Sequence, residues 1–195
     1  MPSLERVLSH SEMVYAPGER ALARDLFRAI GCRVLDPQTD ECPPELGPAA
    51  APYLVIFVDP AGTDLFDNVL YASEVPPEQW AFEQVLRGEM RRGGELARTW
   101  NAFAESYRRF PQGLTHLGIG VTAPQLERAV ATIANTPELA KRVDVTGPYR
   151  PGGPGAVDPR VIQAFLRTDI VSGNLLCAGQ QIELQVRVDR PRASG

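Results

Sequence analysis

Hydrophobic residues in the first part of the chain recur at two spacings, one typical of strands and one of helices. The pattern predicts a strand, a helix and three more strands, in that order, at residues 6–15, 22–30, 32–35, 53–58 and 68–74. Pro17-Gly18 and Gly31 end the first strand and the helix, and residues 36–52 are expected to form a surface loop. The order of this part is therefore β-α-β-β-β.

Two helical patterns follow between residues 77 and 110, separated by Gly93-Gly94. Their apolar stripes consist of Phe82, Val85, Leu86 and Met90 in the first helix, and of Leu96, Trp100, Phe103 and Tyr107 in the second. We expect these stripes to pack against the core. The alternative is a helical linker that also covers a pocket or a dimer partner, which leaves a homodimer open.

The second part of the chain repeats the order of the first. It predicts strands at residues 114–121, 143–145, 161–168 and 175–188, with a helix after the N-cap Thr122, a short helical turn at Thr136-Pro137 and a loop at 147–159. Identical residues also recur at corresponding positions of the two parts, at offsets of 106 to 108. They are His10 and His116, Ala16-Pro17 and Ala123-Pro124, and Glu19-Arg20-Ala21 and Glu127-Arg128-Ala129. Such an internal duplication predicts two copies of one structural unit.

The expected fold is therefore α+β, with two paired βαβββ modules that form a half-barrel whose concave side is a ligand cup. The expected divisions are module 1 at residues 1–75, a helical linker at 76–112, module 2 at 113–190 and a tail at 191–195.

Composition narrows the class of protein. The chain has 195 residues and a net charge of -4, its apolar run at 54–58 is too short to cross a membrane, and its N-terminus lacks the apolar region of a secretory signal. Acidic residues dilute the basic cluster at 87–109, which argues against binding to nucleic acid. Three cysteines without a CxxC pair predict reduced thiols and a cytoplasmic location, and Lys141 as the single lysine suggests a GC-rich bacterial source.

Both histidines of the chain fall on the first strand of a repeat. In strand 114–121, alternation places the bulky Leu117, Ile119 and Val121 on one face, and His116, Gly118 and Gly120 on the other. The bulky face is expected to pack against a helix. His116 should therefore face the cup, where the glycines leave room for a ligand. His10 shares its face with Leu8, Glu12 and Val14.

The last strand alternates too, with Gln181, Glu183, Gln185 and Arg187 on its polar face. This face is either solvated, or it directs Glu183 into the cup. In the second case two imidazoles and one carboxylate would hold a divalent ion, with Fe, Mn, Ni and Zn all open. Gln163 and Arg167 share a face of strand 161–168, and there they either bind an anionic substrate or form a solvated edge.

At these residues the chain resembles the vicinal oxygen chelate superfamily, which includes glyoxalases, methylmalonyl-CoA epimerases, extradiol dioxygenases and bleomycin-resistance proteins. The resemblance rests on residues 115–121 with the following helix, and on Gln181-Ile182-Glu183-Leu184. It implies that the metal ligands are His10, His116 and Glu183. The fourth ligand place of the family, where glyoxalases usually carry Glu, falls on or near Tyr71, and Glu74 lies three residues further on.

The ligand set is similar to that of the extradiol dioxygenases, which use further histidines as acid–base groups, and this chain has none left. Proton transfer would then fall to metal-bound hydroxide or to side chains near His10, namely Glu12, Tyr15, Tyr71 and Glu74. We therefore expect a metal-dependent isomerase or lyase that acts on a small oxygen-rich substrate. A metal-free protein that sequesters an aromatic or antibiotic-like ligand, and an extradiol dioxygenase, are the alternatives.

Overall fold

The computed structural model describes residues 8–40 and 52–188 of the chain. These residues belong to two compact units, Met1–Glu83 with Asp169–Gly179 (unit 1) and Gln84–Thr168 with Gln180–Gly195 (unit 2). The start of the first predicted strand, most of the predicted loop at 36–52 including Cys42, and the tail at 191–195 lie outside the described residues.

Unit 1 has the predicted order of elements. Its elements are β1 (His10–Tyr15), α1 (Arg20–Ala29), β2 (Arg33–Leu35), β3 (Leu54–Phe57), β4 (Val69–Glu74) and β8 (Val171–Ser172). The strands pair in the order β2-β3-β4-β1-β8, and β1 runs parallel to β4. The helix buries Ala23, Leu26 and Phe27 because these residues recur on one of its faces.

Unit 2 repeats this topology. After α2 (Pro77–Arg92), which begins in unit 1, its elements are α3 (Glu95–Arg109), β5 (Leu117–Gly120), α4 (Ala123–Asn135), α5 (Pro137–Ala140), β6 (Val143–Tyr149), β7 (Val161–Thr168) and β9 (Gln180–Arg187). The strand order β5-β9-β7-β6, with β5 parallel to β9, matches the order β1-β4-β3-β2 of unit 1. The prediction of an α+β chain with a duplicated βαβββ topology is confirmed.

The segment before the last strand differs from the prediction. Residues 175–188 do not form continuous strand: a 3-10 turn covers Leu176–Ala178, and β9 begins only after Gly179, whose φ of 73° ends the turn. The two-residue strand β8 was not predicted, and it pairs with β1. Leu176 is fully buried and packs with Ala16 and Val75. This segment is therefore part of the core of unit 1.

The helices α2 and α3 form as predicted, but part of their apolar surface is not covered. Phe82 and Val85 on α2 are 53% and 63% exposed, and Leu96 and Phe103 on α3 are 44% and 43% exposed. The expectation that these four side chains pack into the core is wrong, because helical periodicity identifies an apolar face without showing what lies against it. In the described residues, no helix is long and apolar enough to span a membrane.

A polar network fixes the end of β1 to α1 and to the segment after β2. Arg20 donates hydrogen bonds of 2.9 and 2.7 Å to Asp36 Oδ1 and one of 2.9 Å to the hydroxyl of Tyr15. Burial by itself raises the pKa of Asp36, but the hydrogen bonds from Arg20 and from the Gln38 N–H outweigh it and lower that pKa below 3.8. The ionised carboxylate is therefore the form that stabilises unit 1.

The Asp36→Asn variant is expected to be less stable than wild type by about 2 kcal/mol at neutral pH, because it loses a charged hydrogen-bond acceptor. Since the pKa of Asp36 is lowered on folding, its contribution is complete above 3.8 and disappears as the pH falls through the folded-state pKa. Urea denaturation from pH 7 to pH 2 should show that the difference in unfolding free energy between wild type and Asp36→Asn decreases as the pH falls. Asp25→Asn, which removes a half-exposed partner of Arg24, is the control and should leave stability unchanged.

Candidate functional site

The pairing of β5 with β9 creates the candidate site in unit 2. Gly118 lies opposite Glu183 and Gly120 lies opposite Gln185, so these four residues share one face of the sheet. Phe165 on β7 is the antiparallel partner of Glu183 and belongs to the same face, called the Glu183 face below. Three of its polar side chains are buried: Gln163, Gln181 and Glu183 are 7%, 2% and 4% exposed. The alternative of a solvated sheet face is wrong for these residues.

The carboxylate of Glu183 is held by three side chains. Its Oε1 accepts a hydrogen bond of 2.7 Å from the side-chain amide of Gln163 and one of 3.1 Å from that of Gln185. Its Oε2 lies 2.9 Å from Nε2 of His116. The carboxylate is thus oriented, with Oε1 occupied by amide donors and Oε2 directed to the histidine.

The contact made by Nδ1, the second ring nitrogen of His116, fixes the orientation of the ring. Nδ1 lies 2.6 Å from the carbonyl oxygen of Leu114 and donates to it, because a carbonyl only accepts. The ring also packs edge-on against Phe165, with 5.8 Å between the ring centroids. Nε2 is therefore the atom left to meet Glu183, an ion or a ligand. His116 itself lies just before β5, although strand was predicted from residue 114.

A cavity of about 760 Å³ opens beside this pair. Its lining includes Gly118, Gly120, Glu183, Gln185 and Arg187, together with the first residues of α4. Thr122 and Gln125 form a capping box there: the N–H and the hydroxyl of Thr122 donate to the side-chain oxygen of Gln125, at 2.8 and 2.9 Å. The cavity therefore has a glycine floor, a carboxylate near one end and an arginine on its wall.

The two predicted substrate-binding residues of β7 share the Glu183 face but make different contacts. Gln163 bonds to Glu183. The guanidinium of Arg167 lies 3.9 Å from the ring centroid of Tyr107 and 6.0 Å from that of Trp100, both on α3. Cation–π contacts of this kind attach α3 to the sheet. The structure thus brings Gln163, but not Arg167, to the carboxylate of the candidate site.

Sequence reasoning did not assign a role to Gln185 or to the carbonyl of Leu114. Gln185 was on the predicted polar face of the last strand, and its offset of two from Glu183 was the available signal. The contact of Leu114 with His116 has no signature in the sequence, since any residue supplies a carbonyl.

In unit 1 the structure groups three of the predicted residues. Glu12 lies opposite Tyr71 in the parallel pair β1–β4, and the ring of His10 meets that of Tyr71 edge-on, with 5.7 Å between centroids. The hydroxyl of Tyr71 donates to the carbonyl of Leu65 at 3.1 Å. Burial, and secondarily the charge of Glu12, raise the pKa of Tyr71. Tyr71 is therefore protonated at neutral pH.

Two other candidates in unit 1 are placed elsewhere. Glu74 lies opposite Tyr15, and Tyr15 alternates with Glu12 along β1, so Glu74 does not share the face of His10, Glu12 and Tyr71. Glu74 accepts a hydrogen bond of 3.0 Å from the N–H of Gly18, which supports the turn after β1. Tyr15 is 1% exposed and binds Arg20. Both residues have structural contacts in unit 1.

The side chains of His116 and Glu183 in unit 2 are chemically suited to bind a divalent ion. A histidine that binds a metal through one nitrogen commonly donates the other N–H to a carbonyl, as His116 does to Leu114. Two adjacent ligand atoms bound at about 2.1 Å lie about 3.0 Å apart in octahedral and about 3.4 Å apart in tetrahedral geometry. The 2.9 Å between His116 Nε2 and Glu183 Oε2 is close to the octahedral spacing, and it is also the length of a direct hydrogen bond. Among residues 8–40 and 52–188, however, no three His, Cys, Asp or Glu side chains gather closely enough to hold an ion.

No protein-family model matches the sequence, and no curated protein shows significant similarity to it. Among solved structures, the chain is similar to a crystal structure described as a glyoxalase/dioxygenase from Nostoc punctiforme. The likeness covers 97% of this chain and 96% of that chain, at 14% identity and a TM-score of 0.48. The α+β fold follows from the duplicated βαβββ topology itself, independently of this likeness.

Proposed function

We propose that the protein is a metal-dependent enzyme that acts on a small oxygen-rich substrate bound in the cavity of unit 2. The observation that carries the proposal is the 2.9 Å contact of His116 Nε2 with Glu183 Oε2, together with the position of Glu183 in the lining of a cavity of about 760 Å³. A buried and oriented carboxylate in the lining of a cavity is typical of a site that binds a ligand.

His116 and Glu183 would hold the ion, and His10 of unit 1 is the proposed third ligand. An imidazole and a carboxylate suit Fe, Mn, Ni or Zn. A bound ion of this kind would polarise a carbonyl or enediolate oxygen of the substrate. Gln163 and Gln185 keep the carboxylate in place, and the carbonyl of Leu114 keeps the imidazole in the tautomer that presents Nε2.

The proposed proton-transfer residues are Glu12 and Tyr71, which lie side by side on β1 and β4. Because its raised pKa keeps the hydroxyl protonated at neutral pH, Tyr71 would be the proton donor of the pair. Glu12 would accept one. This division of roles favours an isomerase or lyase reaction, in which a proton is removed from one atom of the substrate and a proton is added to another atom. A small-molecule partner and a cytoplasmic location are part of the same proposal.

One observation favours a second candidate function, a metal-free protein that sequesters its ligand in the same cavity. The Glu183 carboxylate already has three partners in the described residues, and no third His, Cys, Asp or Glu stands beside it. In that case His116 and Glu183 would bind polar groups of the ligand directly.

The metal content of protein purified without a histidine tag separates the two functions. Wild type should contain about one divalent ion per chain, and His116→Ala should contain less than about a tenth of that, because it loses an oriented ligand. The measurement is elemental analysis after dialysis against a weak chelator. His10→Ala tests the third ligand, and Gln181→Leu is the control, since Gln181 is buried on the same strand but bonds to the Pro111 carbonyl. Equal metal content in wild type and His116→Ala would exclude the metal site.

A further inference from the structure

Helix α3 carries apolar side chains on a face that the rest of the described chain leaves uncovered. Leu96 and Phe103 on α3, and Phe110 directly after it, are 44%, 43% and 67% exposed. Steps of seven residues return to nearly the same side of a helix, so the three side chains form one row about 21 Å long, called the Leu96 row below. Single exposed apolar residues are ordinary on protein surfaces, but a row of them marks a contact surface.

The neighbouring side of α3 is already fixed to unit 2. Trp100 and Tyr107 contact the guanidinium of Arg167 on β7. The ring of Phe103 packs against the rings of Trp100 and Tyr107, with 5.8 and 5.2 Å between centroids. Phe103 is thus supported on one side and open on the other. The Leu96 row is therefore a surface already held in place before any partner binds.

The charged residues at the two ends of α3 indicate what covers the row. Glu95 lies in the first turn and Arg109 in the last, two steps of seven apart and hence on one side of the Leu96 row. Both are exposed, and neither forms an ion pair within the part of the chain that the structure describes. If a second copy of α3 lies antiparallel on the first, each acidic start meets a basic end, whereas parallel copies would bring like charges together.

We propose that the Leu96 row is the contact surface of a homodimer, in which two copies of α3 pack antiparallel about a two-fold axis. Leu96 of one copy lies beside Phe110 of the other, and the two Phe103 rings meet near the axis. Two ion pairs, each between Glu95 of one copy and Arg109 of the other, flank this apolar contact. Such a contact is self-complementary, as two-fold symmetry requires. The inference concerns assembly and goes beyond the function proposed above.

Analytical ultracentrifugation of variants at the centre of α3 tests the apolar contact. Wild type should be mainly dimeric at about 100 µM, because specific interfaces have dissociation constants of micromolar or lower. Ala102 is exposed and lies midway between Glu95 and Arg109, hence at the proposed axis. Ala102→Glu should therefore raise the dissociation constant at least about thirtyfold, since it places two carboxylates together at the centre of the interface.

The matched control is Asn101→Glu, which adds the same charge one residue earlier. Asn101 is exposed as well, but one residue turns a helix by about 100°, so its side chain lies away from the Leu96 row. Asn101→Glu should dimerise like wild type. The melting temperatures of both variants, measured on dilute monomeric protein, should equal that of wild type, because both residues are exposed to solvent.

Reversal of the end charges tests the antiparallel orientation. Glu95→Arg alone and Arg109→Glu alone should each raise the dissociation constant at least about fivefold, because each brings like charges together twice across the axis. An equimolar mixture of the two variants should form a heterodimer with the affinity of wild type, since both end pairs of the mixed dimer join opposite charges.

Three outcomes would overturn the proposal. The first is a wild type that remains monomeric, or an Ala102→Glu variant that dimerises as well as wild type. The second is unchanged dimerisation of both charge-reversed variants, which would indicate parallel helices or another face. The third is a lower melting temperature of monomeric Ala102→Glu than of monomeric Asn101→Glu, which would show that another segment of the same chain covers the row.

Discussion

Glu183→Met is expected to lower the melting temperature by roughly 10 °C, the largest stability effect at the candidate site. Methionine fills a similar volume but accepts no strong hydrogen bond, so the buried amide of Gln163 and Nε2 of His116 lose their partner. Unpaired buried polar groups cost about 1–3 kcal/mol each, and in a chain of this size 1 kcal/mol shifts the melting temperature by about 2–4 °C. Calorimetry of the purified variant provides the measurement.

Glu183→Gln is the matched comparison and is expected to melt within about 3 °C of wild type, because its bonding pattern fits the same network. The amide oxygen still accepts from Gln163 and Gln185, and the amide nitrogen donates to Nε2 of His116, whose Nδ1 already carries a proton. The metal content of Glu183→Gln should nevertheless be lower than that of wild type, because the variant lacks the negative charge that attracts the ion. If Glu183→Gln melts as low as Glu183→Met, the negative charge itself holds the network together. If neither variant loses stability, the network contributes nothing.

The second large effect concerns the reaction. Metal-loaded wild type is expected to exchange a proton of a hydroxy-ketone or an acyl thioester with solvent deuterium, and His116→Ala should be slower by at least about a hundredfold, because polarisation of the carbonyl depends on the held ion. Exchange is followed by NMR in heavy water. Glu12→Gln should also be slow while it retains its metal, which separates loss of the base from loss of the site.

The same protein loaded anaerobically with Fe(II) is expected to consume oxygen only slowly with catechols. Both histidines of the chain are proposed ligands, so none is left to act as an acid–base group beside the iron. An oxygen electrode with a panel of catechols provides the measurement. Rapid oxygen uptake with formation of ring-cleaved product would favour a dioxygenase over an isomerase or lyase.

The order of elements was predictable because periodicity is a local property of the sequence. The strands of both repeats, α1 and α4 were all expected at or near their observed positions. The two-residue β8 was not, since a strand so short has no period to detect and depends on its partner β1. The late start of β9 follows from Gly179, whose left-handed conformation no alternation pattern reveals.

The faces of strands could be predicted better than the contacts on them. Alternation correctly placed His116, Gly118 and Glu183 toward one side of the sheet. Alternation also excludes Glu74 from the face of Tyr71, because the two are an odd number of residues apart and cannot share a face of a regular strand. The register of β5 against β9, and the stacking of Arg167 on Tyr107, depend on partners distant in sequence.

The position of Asp169–Gly179 in unit 1 has a consequence for synthesis of the protein on the ribosome. Residues up to Glu83 emerge first, but the edge strand β8 and the core residue Leu176 emerge about a hundred residues later, after most of unit 2. At translation rates of about 5–20 residues per second, this delay lasts roughly 5 to 20 seconds. The nascent first unit spends that time with an unpaired sheet edge and an uncovered core, and it reaches its final form only when the chain is nearly complete.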